Sequence, residues 1–147
     1  MPGRFFDTNV LLYVASGDSA KSDQAERLIG VGGIISVQAL NEIANVARRK
    51  MRMSWDETCT LLGTLRGLLP VVPVTLETHV AGTVLAERYG FAVYDAMIAA
   101  AAMLAGCDVL WSEDMQHGMS VDGRLRIVNP FVGEIRPPPY GPPKPID

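Results

Sequence analysis

Phe5-Phe6-Asp7-Thr8-Asn9-Val10-Leu11-Leu12-Tyr13 decides how the chain is read. Two bulky apolar residues suited to a strand meet three consecutive polar ones, after which the apolar run resumes. In an open parallel sheet the carboxyl ends of the strands border the ligand crevice. An acid at position 7 therefore serves either chemistry there or a turn or helix cap.

Outward from this stretch, helical and strand patterns alternate. Asp18 to Ile29 reads as a helix with Ala25, Leu28 and Ile29 on one face and Gly30 as its stop. Ile34 to Val37 is a strand. Gln38 to Met51 is a helix in which Leu40, Ile43, Ala44 and Ala47 recur at helical spacing, with Ser36 as its expected cap. Ser54 and Glu57 make a capping-box pattern before a helix carrying Leu61, Leu62, Leu65 and Leu68, which Pro70 stops. Val71 to Val74 follows as a strand that Pro73 confines to an edge or makes irregular. Thr75 caps a helix to Tyr89, closed by Gly90. Asp95 begins an apolar helix ending near Gly106, then come a strand from Val109 to Ser112 and a last one from Arg126 to Val128. This order predicts β-α-β units in an α/β fold: a three-layer α/β/α sandwich with a central, mainly parallel sheet.

A chain of 147 residues is long enough to bury a core without staples. The expected organisation is one domain over residues 1–133, followed by a Pro-rich tail over 134–147. The tail reads as an extended appendage rather than a helix or strand. A tethered or mobile terminus is the plainer reading, a ligand for a Pro-binding module the other. The net charge of -3 argues against binding nucleic acid by bulk positive charge. It leaves room for a local basic patch. Cys59 and Cys107 lack metal-ligand spacing and are expected to be buried thiols. No signal-peptide pattern and no membrane-length apolar run is present, which fits a cytoplasmic protein.

Several acids fall where this fold places a crevice. Asp7 follows the first strand, and Asp114 follows the strand ending at Ser112. Asp95 is the lone charge from Phe91 to Cys107, at the mouth of a helix apolar on every side. Capping alone would justify it. Glu42 lies on the helix from Gln38 to Met51, opposite Ala44 and Ala47; by itself it reads as a surface residue. A buried acid beside other acids is repelled by them, and a divalent cation is the usual way to keep such a cluster ionised. The convergence of the four carries the argument.

Four segments also resemble a known family: Phe6-Asp7-Thr8-Asn9-Val10-Leu11-Leu12-Tyr13, Ser36-Val37-Gln38-Ala39-Leu40-Asn41-Glu42, Tyr94-Asp95-Ala96-Met97-Ile98-Ala99-Ala100-Ala101-Ala102, and Leu110-Trp111-Ser112-Glu113-Asp114-Met115-Gln116-His117-Gly118. Together they are similar to PIN domains, and most to the VapC-type ribonuclease toxins of bacterial toxin–antitoxin pairs. The likeness runs from about Phe5 to Phe131. It implies that Asp7, Glu42, Asp95 and Asp114 hold one or two Mg²⁺ or Mn²⁺ ions and are catalytic, with Thr8, Asn9 and Ser112 in support. Asp114 occupies the most variable of these places, with Glu113 as its neighbouring competitor. The likeness further implies an RNA substrate, a homodimer, and a small antitoxin that occupies the acidic groove, with no membrane involved.

Mg²⁺ takes oxygen ligands and keeps several waters, so an acid cluster of this kind would hold it while leaving room for a phosphate. Hydrolysis by metal-activated water predicts 5′-phosphate and 3′-hydroxyl ends. Arg48, Arg49, Lys50 and Arg52, at the end of Glu42's helix, either grip RNA or complement the helix dipole. The apolar residues on the helices after Ser54 and Thr75 suit a dimer face, and core packing explains them as well. His79 and His117 have no ligand spacing and receive no role. Two other functions compete: a non-catalytic PIN-like binding domain, and a metal-dependent phosphatase. Against the latter, Asp7-Thr8-Asn9 lacks the second acid of a D-x-D nucleophile. Gly30-Val31-Gly32-Gly33 follows a helix and precedes a strand, the reverse of a dinucleotide-binding loop.

Overall fold

The computed structural model describes residues 3–132; the Pro-rich tail lies outside them. In chain order the elements are β1 (Gly3–Phe6), α1 (Thr8–Leu12), a 3-10 turn (Tyr13–Ala15), α2 (Ser19–Val31), β2 (Ile35–Ser36), α3 (Val37–Arg49), α4 (Trp55–Leu68), β3 (Val71–Val72), α5 (Leu76–Tyr89), α6 (Val93–Leu104), β4 (Cys107–Trp111), β5 (Ser120–Val121) and β6 (Leu125–Val128).

The main sheet has the order β1-β4-β6-β5. Its first three strands are parallel, and β5 returns antiparallel on β6. A parallel pair, β2 with β3, joins its edge through a bridge between Phe5 and Ile34. Side chains alternate along a strand, and that alternation splits the core in two. Phe5, Leu110 and Ile127 face the layer of α5 and α6. Phe6, Val109 and Trp111 face the layer holding Val10, Leu28, Ile43 and Leu65 from α1 to α4. This is the expected three-layer α/β/α sandwich.

The register fixes where the chemistry sits. Phe6 pairs with Trp111, and Trp111 with Val128. Parallel pairing continues one residue further: Asp7 N donates to Trp111 O at 2.9 Å and Ser112 N to Val128 O at 3.0 Å. Asp7 and Ser112 therefore leave adjacent strands level with each other.

The expected caps form. Ser36 Oγ accepts from Ala39 N, Ser54 and Glu57 complete their capping box, and Thr75 caps α5, which ends at Gly90 with φ 73°. Elsewhere the structure corrects the sequence reading. The run after Asp7, to which the sequence pattern assigns no element, is helix α1, because Asp7 caps it and Val10 and Leu11 bury a helical face. Gly30 lies inside α2; the helix ends at Gly32, whose φ of 112° suits only glycine. Helix α6 starts at Val93, so Asp95 is in its first turn rather than at its cap. The antiparallel β5 was not anticipated. Cys107 is buried, but Cys59 is exposed on the outer side of α4. Among the described residues no helix is long and apolar enough to cross a membrane.

Candidate active site

Asp7 is buried, with 5% of its surface exposed. Its carboxylate is held from three sides. Oδ1 accepts from Thr8 N at 2.7 Å, while Oδ2 accepts from Ser112 Oγ at 2.8 Å and from Asn9 Nδ2 at 3.2 Å. These donors favour the charged form. Burial opposes them more strongly, with repulsion from Asp95 and Glu42 added, and the carboxyl is pushed up to about 6.

Glu42 reaches the same place from α3, where its Oε1 accepts from Thr8 Oγ1. Thr8 thus serves two acids, its amide bonding Asp7 and its hydroxyl bonding Glu42. Asp95 comes from the start of α6, half-buried. Burial raises its carboxyl, followed by repulsion from Asp114 and Glu42. Its place in the first helical turn, where the dipole favours a negative charge, does not outweigh these effects. Gln38 Nε2 donates to Tyr94 O at 3.0 Å, bracing the start of α3 against the start of α6. This fixes Glu42's helix against Asp95's. Asp114, exposed on the loop after β4, is the source of the first of the two repulsions on Asp95.

All four acids are thus linked by mutual repulsion at one end of the sheet. Among the described residues no three potential ligands lie close enough to enclose an ion unaided. The donor set is made of oxygen alone, and two of its members are restrained by Ser112 and Thr8. Such a set suits Mg²⁺ or Mn²⁺ that keeps several of its own waters, with the carboxylates reaching it directly or through those waters rather than as an all-protein cage.

Glu113 is not interchangeable with Asp114. Its carboxylate accepts from Tyr13 Oη at 2.6 Å and pairs with Lys21 Nζ. Burial works to raise it, but these partners hold it below the ordinary glutamate range. The sequence reading missed Lys21 and Tyr13, because the contact spans most of the chain. Asn9 has a double role: its amide donates to Asp7, and its Oδ1 accepts from Glu113 N at 3.1 Å.

The basic cluster divides. Arg48 donates to Met53 O at 2.7 Å and lies 4.5 Å from the centre of the Trp55 ring, so it braces the turn from α3 to α4. Arg49, Lys50 and Arg52 are exposed. Arg49 is two helical turns beyond Glu42 on the same side of α3. His117 is not idle: its Nδ1 accepts from Asn129 N, fastening the loop after β4 to the end of β6.

Comparison with known proteins places the fold. The PIN domain family profile matches residues 4–117. No curated protein matches the chain. Among solved structures, a toxin–antitoxin complex from Klebsiella pneumoniae is similar with a TM-score of 0.66 and 21% identity, over 87% of this chain and 98% of that one. VapC20 from Mycobacterium tuberculosis, a toxin that cleaves the sarcin–ricin loop, gives 0.63 and 18%, over 76% and 89%. DNA-bound VapBC from Salmonella typhimurium gives 0.66 and 18%, over 86% and 97%. The chain belongs to the PIN-domain family.

Proposed function

We propose that this PIN-domain chain is an endoribonuclease dependent on Mg²⁺ or Mn²⁺, and the toxin of a toxin–antitoxin pair. The observation that carries the reading is Asp7: a buried carboxylate, anchored by three donors yet repelled by Asp95 and Glu42. A fold keeps acids crowded at such a cost when a cation is to relieve it.

Asp7, Glu42, Asp95 and Asp114 are the residues that would hold the ion. Bound there, Mg²⁺ or Mn²⁺ supplies a water of lowered pKa and neutralises charge developing on the scissile phosphodiester. The rest is the protein's work. Ser112, Thr8 and Asn9 fix the carboxylates before substrate arrives, so that little reorganisation remains at the moment of reaction. Exposed Arg49 and Lys50 are placed to neutralise RNA phosphates approaching along α3. The attack is in line and does not use the RNA 2′-hydroxyl.

The toxin assignment and its partners rest on likeness to toxin–antitoxin complexes. A small antitoxin inhibits by entering the acidic groove, and a second copy of the chain covers the outer face of α5. Leu76, Val80 and Val84 stand there at four-residue spacing and are 78%, 54% and 44% exposed.

The test is incubation of purified protein with total cellular RNA, with Mg²⁺ or chelator, beside Asp7→Asn. Discrete cuts ending in 5′-phosphate and 3′-hydroxyl, absent with chelator or Asp7→Asn, are expected. Cyclic 2′,3′-phosphate ends would refute the mechanism. A folded wild type inert with both metals on many RNAs would refute the function.

A further inference from the structure

Three consecutive residues on the loop after β4 point to different tasks. Ser112 turns inward to Asp7, and its Oγ also accepts from Met115 N at 3.2 Å. Asp114 is exposed and interacts with Asp95. Glu113, between them, is gripped from both ends. Its amide is held by Asn9, and its carboxylate by Tyr13 and Lys21. The Lys21 ammonium is itself boxed in. It lies 3.2 Å from Tyr13 Oη, 4.8 Å from the centre of the Tyr13 ring and 5.2 Å from that of Phe131. Those two rings meet edge to face at 5.0 Å.

A pair as open as this, with side chains 29% and 22% exposed, adds little to stability. Packing accounts for the two rings, since Phe131 is buried and Tyr13 packs against the same core, but stability is a poor reason for setting a lysine and a glutamate beside them at the base of one loop. Position is a better one. Asp114 is exposed, and its backbone is one residue from Glu113, the point where α2 and α1 both take hold. We infer that Lys21, Tyr13 and Glu113 form a latch that sets Asp114 against Asp95, making Lys21 a positioning residue for the divalent-cation site. This rests on the cation reading above but not on RNA being the substrate.

The sign of the effect separates a latch from simple electrostatics. Removing the Lys21 charge leaves Glu113 uncompensated near the other acids, which by Coulomb attraction alone tightens Mg²⁺ binding. Loss of a latch weakens it. Groups that orient metal ligands typically change affinity by about ten-fold or more.

The experiment measures Mg²⁺ and Mn²⁺ affinity without RNA, from the metal-induced rise in melting temperature of the full chain. Wild type, Lys21→Arg, Lys21→Met, Tyr13→Phe, Asp114→Asn and the Lys21→Met/Asp114→Asn double variant are compared. Lys21→Met is expected to weaken binding about ten-fold, and Lys21→Arg to retain it. The double variant should bind no more weakly than Asp114→Asn alone, because both changes remove the same contribution. Equal or tighter binding by Lys21→Met, fully additive losses, or unchanged binding by Asp114→Asn overturns the latch. Should Lys21→Met fail to fold, Tyr13→Phe, which removes one hydroxyl, is judged by the same criteria with a smaller expected loss. A wild type unresponsive to either metal overturns the cation reading itself; a responsive wild type matched by Lys21→Met overturns only the latch.

Discussion

Ser112 Oγ donates to Asp7 Oδ2 at 2.8 Å, across a sequence separation of 105 residues. The bond forms because β1 and β4 are parallel neighbours in a register that brings Phe6 beside Trp111. Whatever follows the two strands must then meet. Ser112→Ala removes a donor that lowers the Asp7 carboxyl and strands a buried acceptor. A stability loss of about 1–3 kcal/mol is expected. The acid limb of the cleavage pH profile should move to higher pH. An unmoved limb in a folded variant means that Ser112 does not tune Asp7.

Asp7 also makes stability depend on pH. Burial pushes its carboxyl up to about 6 in the folded chain from an ordinary 3.8, so between these the folded state binds more protons than the unfolded one. Stability from this group is therefore full below about pH 4, falls as pH rises, and is lost above about pH 6. The difference amounts to about 3 kcal/mol at most. Asp7→Asn keeps an oxygen for Thr8 N but gives up the acceptor for Ser112 Oγ and Asn9 Nδ2, so the test is the pH slope. Without metal, thermal melts should show the variant gaining on wild type as pH rises from about 4 to neutral. A variant less stable than wild type at neutral pH, with the pH slope unchanged, contradicts the repulsion assigned to Asp7.

The local structure was legible in the sequence only in part. Caps at Ser36, Ser54 and Thr75 were legible because capping is a local affair between residues three apart. Helix α1 was not, since Val10-Leu11-Leu12 is too short an apolar run for its period to separate helix from strand. Gly30 and Gly32 look alike in sequence; only Gly32 takes the positive φ that ends α2. Cys59 was misread because thiols are commonly buried, whereas α4 turns this one outward. The alternation of strands and helices indicates which ends share an edge, which is why three acids at such ends, with Glu42 on a nearby helix, could be proposed as a set. Lys21 with Glu113 was not, for no local pattern announces a pair 92 residues apart.

Close approach of α5 and α6 depends on Gly82. A methyl group there would lie 2.5 Å from Met97 Sδ and 3.3 Å from Met97 Cα. Gly82→Val should cost about 1–3 kcal/mol through overpacking, and should shift α6 and with it Asp95. Denaturant titration measures the first effect, metal affinity the second. Wild-type values for both would show that the helices yield without consequence.

Charge reversal at Arg49 and Lys50 should weaken RNA binding by an Asp7→Asn protein and flatten its dependence on salt. Arg48 is excluded from this pair because Met53 and Trp55 already occupy it. Fluorescence anisotropy at two salt concentrations reads both quantities. Unchanged affinity and slope would leave these cations to complement the dipole of α3.

Val80→Glu with Val84→Glu places charges in the exposed stripe of α5, clear of the acids. If a second copy covers that face, light scattering should show the wild type as a dimer and the variant as a monomer with its melting behaviour largely intact. A wild-type monomer, or a variant that stays dimeric, removes α5 as the interface.

The most direct measurement is Mn²⁺ binding, followed by the electron spin resonance of the free ion as it is taken up by wild type, Asp7→Asn and Asp95→Asn. Saturable uptake by the wild type, displaced by Mg²⁺ and abolished or strongly weakened in each folded variant, is the predicted result. Uptake that survives in both variants, or none in the wild type, would mean that these carboxylates do not share an ion.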